Sequence, residues 1–68
     1  MNKLSHREVQ IIQYKAQGFT AKEIAKCIGL EYRTIEIYIG SIIKKLEAKN
    51  IAHAVYIAAQ ENILNHYQ

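Results

Sequence analysis

The sequence has no proline or tryptophan, only three glycines and a single cysteine among its 68 residues. Without proline, no ring interrupts a helix interior. One thiol, Cys27, cannot close an intramolecular disulfide, and the separated histidines His6, His53 and His66 lack the spacing of a zinc site. The usual staples of a small domain are therefore missing, although a chain of this size buries only about 60% of its unfolded surface. Self-association would offer another source of support. The lone thiol fits a reducing cytosol.

No apolar run approaches the roughly 18 residues of a membrane span, and "MNKLSHREV" at the N-terminus lacks the apolar segment of a secretory signal. A soluble, cytoplasmic protein without membrane contact is expected. Nothing in the sequence brings Cys27 to His6 or His53 with an orienting acid and an oxyanion site, so neither enzyme activity nor a cofactor or metal is expected. Cys27 instead reads as a small helix-packing residue. Nine Lys and Arg against six Asp and Glu give a formal charge of +3, which suits an anionic partner but is modest for a nucleic-acid binder.

What the sequence does contain is helical pattern from end to end, with no linker, repeat or low-complexity stretch, and residues 1–68 read as one all-α domain. "SHRE" places Ser5 and Glu8 at capping-box spacing, with Leu4 before them as a staple, and predicts a first helix over about 5–17 closed by Gly18. "TAKE" repeats that spacing and starts a second helix, about 20–28, with Ala21, Ile24, Ala25 and Ile28 inward and Gly29 at its end. A tight turn leads into a third helix at about 32–46, the sequence form of a helix-turn-helix. Asn50 caps a fourth, about 50–64, whose apolar residues cover more than one stripe.

In the third helix Ile35, Ile39, Ile42 and Leu46, with Ile43 beside them, stack on one stripe at about 100° per residue and form its core face. Arg33, Ile37, Gly40 and Lys44 then share the opposite side, edged by Glu36 and by Thr34 and Ser41. A solvated surface would account for Arg33, Lys44 and Lys45 alone. It accounts less well for an isoleucine at the centre of that face, which suits a thymine methyl, or for a mid-helix glycine that costs up to ~1 kcal/mol relative to alanine but permits close approach. The preceding short helix adds the geometry that lays a second helix in the major groove while Thr20 and Lys22 reach a phosphate. Tyr32 and Tyr38 flank the same helix, whereas Tyr14, Tyr56 and Tyr67 read as packing or partner-surface residues.

Together Leu4, Ser5, Arg7, Glu8, Ile11, Ile12 and Ala16, then Gly18, Phe19, Thr20, Lys22, Glu23, Ile24 and Ala25, then Ile28, Leu30, Thr34, Ile35, Ile39, Ile42, Lys45 and Leu46, and finally Ala54, Val55 and Ala58 form a composite motif that covers nearly the whole chain without a gap. In this the chain resembles the LuxR/GerE-type helix-turn-helix domain of bacterial transcription regulators. The resemblance implies a four-helix domain with a recognition helix at about 32–46 and dimerisation through the fourth helix. It also implies a nucleoid-associated regulator that binds double-stranded DNA as an inverted repeat, with RNA polymerase or a related regulator as a protein partner. The family's base-contacting positions correspond here to Glu36, Ile37 and Gly40. Glu36 stands where lysine or arginine is frequent, Tyr38 where histidine is frequent and Glu47 where glycine is common, so base preference does not carry over.

The DNA-binding set expected on these grounds is Thr20, Lys22, Arg33, Thr34, Glu36, Ile37, Tyr38, Gly40, Ser41, Lys44 and Lys45. Glu36 is expected either to read a cytosine amino group or to pair with Arg33 along the helix. The dimer set is Tyr56, Ile57, Ala59, Ile63 and Leu64, because the fourth helix carries more apolar surface than one small core needs. A second function stands beside DNA binding: an interaction module that pairs with a related regulator through the fourth helix and modulates its DNA binding. The receiver or ligand domain that precedes this module in many relatives is not seen, so both a stand-alone regulator and an excised domain remain open.

Overall fold

The computed structural model describes residues 4–65, and the sequence expectations for His66 and Tyr67 lie outside them. The described residues form four helices, α1 His6–Ala16, α2 Ala21–Ile28, α3 Tyr32–Lys45 and α4 Ile51–Gln60, followed by a single 3₁₀ turn at Ile63–Asn65. No strand occurs among the described residues.

Local chemistry sets the starts of α1, α2 and α4. Ser5 Oγ accepts from the Glu8 N–H while the Glu8 carboxylate accepts from the Ser5 N–H, and Thr20 and Glu23 repeat this reciprocal pair at α2. Asn50 Oδ1 accepts from the His53 N–H at α4. α3 begins at Glu31 without a side-chain cap. Its position therefore rests on packing against α1, α2 and α4.

The first three helices also stop alike. The Phe19 N–H bonds the Tyr14 carbonyl, Leu30 the Ala25 carbonyl and Ala48 the Ile43 carbonyl, each closing the last turn over a left-handed residue. Gly18 (φ 92) and Gly29 (φ 72) take that conformation without steric cost. In the first case the residues joined also pack, with the Tyr14 and Phe19 rings 5.1 Å apart. At the third stop the left-handed residue is Glu47 (φ 55), whose Cβ makes the conformation costly. Glu47→Gly is accordingly expected to stabilise the fold by roughly 0.5–1 kcal/mol, seen as a higher urea midpoint at unchanged slope. An unchanged or lower midpoint would refute this account of the turn.

The core is mostly isoleucine. Val9, Ile11 and Ile12 from α1 meet Ile24 and Ala25 from α2, Ile35 and Ile42 from α3, and Ala54 and Ala58 from α4, with Leu4 at its edge. Ile39, Ile43 and Leu46 pack against this cluster from α3, as the stripe predicts. Cys27 departs from expectation. It is exposed, because α2 is a short helix whose inward stripe is filled by Ala21, Ile24, Ala25 and Ile28.

The fourth helix is shorter than the sequence predicts, ending at Gln60 rather than 64. Asn62 adopts a left-handed conformation (φ 62), one that asparagine tolerates better than most residues, and it turns the chain back toward α1. Ile63 then enters the core, 1% exposed, and the Leu64 carbonyl accepts from Gln13 Nε2 at 2.9 Å.

One buried carboxylate sets how α3 lies on α1. Glu8, 3% exposed, accepts from Ser41 Oγ at 2.6 Å and from Lys45 Nζ at 2.8 Å besides capping its own helix. Burial alone would push its carboxyl up. The hydrogen bonds from Lys45, Ser41 and the Ser5 N–H, with the charge of Lys45, outweigh that and lower it to about 2.

Candidate nucleic-acid interface

With Ile35 and Ile42 committed to the core, helical geometry turns the other side of α3 outward. Arg33, Ile37, Gly40 and Lys44 are all exposed, and Ile37 is 66% accessible although it is a large apolar residue. A Cβ placed on Gly40 would meet nothing within 4 Å. The glycine is thus not demanded by packing within the chain. What its missing side chain provides is a shallow stretch of backbone at the middle of the exposed stripe.

Cations surround the stripe. Arg33 stands at its N-terminal end and Lys44 at its C-terminal end, both exposed. Thr20 and Lys22 are exposed at the start of α2. Thr20 Oγ1 is engaged as acceptor by the Glu23 N–H at 3.1 Å, and its hydroxyl still carries a hydrogen to donate. Lys22 Nζ lies 5.7 Å from the centroid of the Tyr32 ring, within the range of a cation–π contact.

Other residues of the expected set are placed differently. Ser41 and Lys45 bind Glu8 across the α1–α3 contact, so the Lys45 charge is matched within the chain. The Lys45 side chain remains 40% accessible. Thr34 is half-buried, and Tyr38 is half-buried against the core, at the inward edge of α3. The structure thus brings Arg33, Ile37, Gly40 and Lys44 together on one open face and directs Ser41, Lys45 and Tyr38 toward the rest of the chain.

Glu36 is exposed, and within the chain its partner is Tyr32 rather than Arg33. Its Oε2 accepts from the Tyr32 hydroxyl at 2.7 Å. The bond to this carboxylate, and its charge, hold the Tyr32 phenol above its ordinary value. Arg33 at i−3 is the expected partner, whereas Tyr32 at i−4 is the one the helix presents. The four-residue spacing was the available signal.

On α4, Tyr56 is 61% exposed and Ala59 is exposed, while Ile57 is half-buried. The His53 ring stacks near Tyr56 at 6.5 Å, and His53 Nδ1 accepts from the Lys49 N–H at 3.0 Å. Ile63 leaves the expected surface set, since it is a core residue, and Leu64 packs partly against the same cluster. Among the described residues no group of three His, Cys, Asp or Glu could hold a metal ion. No helix there is long and apolar enough to cross a membrane.

Comparison with known proteins places these features in a family context. Residues 2–58 match the family described as "Bacterial regulatory proteins, luxR family". The transcriptional activator protein EchR of Dickeya chrysanthemi is 33% identical over 63 residues, which cover 93% of this chain and 25% of that protein. The transcriptional regulatory protein TdiR of Thauera aromatica is 45% identical over 47 residues, covering 69% of this chain and 21% of its own length. The response regulator protein VraR of Staphylococcus aureus is 31% identical over 61 residues, covering 90% of this chain and 29% of its own. The chain therefore spans between 21% and 29% of these relatives.

Proposed function

Since this chain belongs to the luxR family of bacterial regulatory proteins, we propose that it is a double-stranded-DNA-binding unit of transcription regulation that presents α3 to the major groove. The observation that carries this reading is the open face of α3, where Ile37 and the bare backbone at Gly40 lie between Arg33 and Lys44. An isoleucine in that place suits a thymine methyl, and the glycine lets the helix backbone come close to the groove. Phosphate contacts fall to Lys22, Arg33 and Lys44, with Thr20 donating at the start of α2. Lys45 makes a weaker contribution, because Glu8 already matches its charge.

Pairing through α4 completes the proposal. Tyr56 and Ala59, with Ile57 beside them, are the surface offered to a second copy, and a two-fold pair would read an inverted repeat. RNA polymerase or a related regulator is a further partner class on this reading. The bacterial cytoplasm, at the nucleoid, is the proposed location.

A generic duplex, titrated by fluorescence anisotropy at about 50 and 200 mM salt, tests the reading, because phosphate contacts make affinity fall steeply with salt. Measurable binding at low salt that weakens by at least tenfold at the higher salt is expected. No binding at either salt would overturn DNA contact and favour a module that acts only by pairing with a related regulator.

A further inference from the structure

Tyr32, Glu36 and Lys22 form a short chain of contacts on the exposed corner between α2 and α3. The Tyr32 hydroxyl donates to Glu36 Oε2 at 2.7 Å, and the Lys22 ammonium sits 5.7 Å from the Tyr32 ring centroid. All three side chains are exposed, so the fold does not need them for its core. An unrestrained glutamate here would be repelled by phosphate. It would also be free to turn toward Arg33 at i−3, removing a cation from the face. The Tyr32 hydroxyl instead engages one carboxylate oxygen and leaves the other as an open acceptor.

We infer that Tyr32 is a specificity residue acting through Glu36, its hydroxyl fixing the carboxylate so that Oε1 accepts from the N4 amino group of one cytosine. This inference rests on the DNA-binding reading above. The choice of base follows from the major-groove edges, where cytosine and adenine present amino donors. Adenine sets its N7 acceptor beside the amino group, which opposes a carboxylate, whereas on cytosine's own ring N4 is flanked by C5–H and the nearest acceptor is O6 of the paired guanine. Tyr32 and Glu36 lie in the first turns of α3, the part of a recognition helix that approaches base edges. Tyr32 touches no base in this scheme. It is a positioning residue.

Selection of bound sites from a random duplex library, with the wild-type chain, Tyr32→Phe and Glu36→Gln, tests the inference alongside affinity for a generic duplex. Phenylalanine keeps the ring beneath Lys22 and removes only the donor. The wild-type motif should carry cytosine at one position of each half-site, preferred on the order of tenfold, and Glu36→Gln should move that position toward adenine. Tyr32→Phe should weaken the cytosine preference at the same position by about 3- to 10-fold while leaving generic affinity and its salt slope unchanged. Identical motifs for Tyr32→Phe and wild type would overturn the role of Tyr32 while leaving DNA binding intact. A change at a different position, or a uniform loss on all sequences, would make Tyr32 a direct contact and overturn it as well. Failure of the wild-type chain to bind any duplex would overturn both the inference and the reading beneath it.

Discussion

Glu8→Gln should remove about 2–3 kcal/mol of folding free energy at neutral pH, a large share of the ~5 kcal/mol that marginal small domains possess. Glutamine preserves the capping-box acceptor for the Ser5 N–H, so the loss isolates the charged contact with Lys45 and the stronger bond from Ser41. Lowering the carboxyl from 4.5 to about 2 corresponds to roughly 3 kcal/mol, which sets the upper end. The lower end reflects Lys45, whose side chain is 40% accessible and can turn to water when its partner is neutral.

The pH dependence follows from the sign of that shift. A carboxylate that binds its proton more weakly when folded stabilises the native state fully above about pH 4.5, and that stabilisation disappears as pH falls toward 2. Glutamine does not titrate. The difference between wild type and Glu8→Gln, measured by urea unfolding at pH 7, 4 and 3, should therefore shrink as the pH is lowered. A difference that stays constant with pH would show that the network stabilises by packing rather than by charge.

Reversing both ends of the exposed stripe, Arg33→Glu with Lys44→Glu, should lower affinity for any duplex by about 100-fold, from roughly 1–2 kcal/mol per reversed charge beside a phosphate. The slope of log affinity against log salt should fall by about two, since each lost phosphate contact removes about 0.9. Both residues are exposed, so the unfolding midpoint should move little. Binding reduced on one sequence alone would instead make these residues base readers. Unchanged binding would remove α3 from the interface.

How far the sequence could be read depended on the distance over which each interaction acts. The caps at Ser5, Thr20 and Asn50 reach three residues along the chain, and their partners stand in plain view. The inward stripe of α3 is likewise a matter of period, and the exposure of Arg33, Ile37, Gly40 and Lys44 follows from it. By contrast, Glu8 meets Ser41 and Lys45 across 33 and 37 residues. No local pattern announces that meeting, so the sequence alone shows both side chains only as members of a DNA-facing set.

The end of α4 shows a different limit. Apolar periodicity continues through Ile63 and Leu64, but Asn62 breaks the helix in the left-handed conformation and the same isoleucine is delivered to the core from a 3₁₀ turn. The periodicity places Ile63 on a dimer surface, whereas the turn buries it within the chain. Glu36 illustrates competition at short range. Tyr32 and Arg33 both lie within reach along the helix, and only the geometry of the first turn selects the tyrosine.

The central claim is that the exposed face of α3 meets DNA, and a chain of 68 residues suits amide-resolved NMR. A ¹H–¹⁵N spectrum recorded during titration with a generic duplex at low salt maps the contact directly. The account expects the largest shifts at Arg33, Ile37, Gly40 and Lys44, with Thr20 and Lys22 beside them, and smaller ones along the buried side of α3. Shifts confined to α4 around Tyr56 and Ala59, or a spectrum unchanged by DNA, would contradict it.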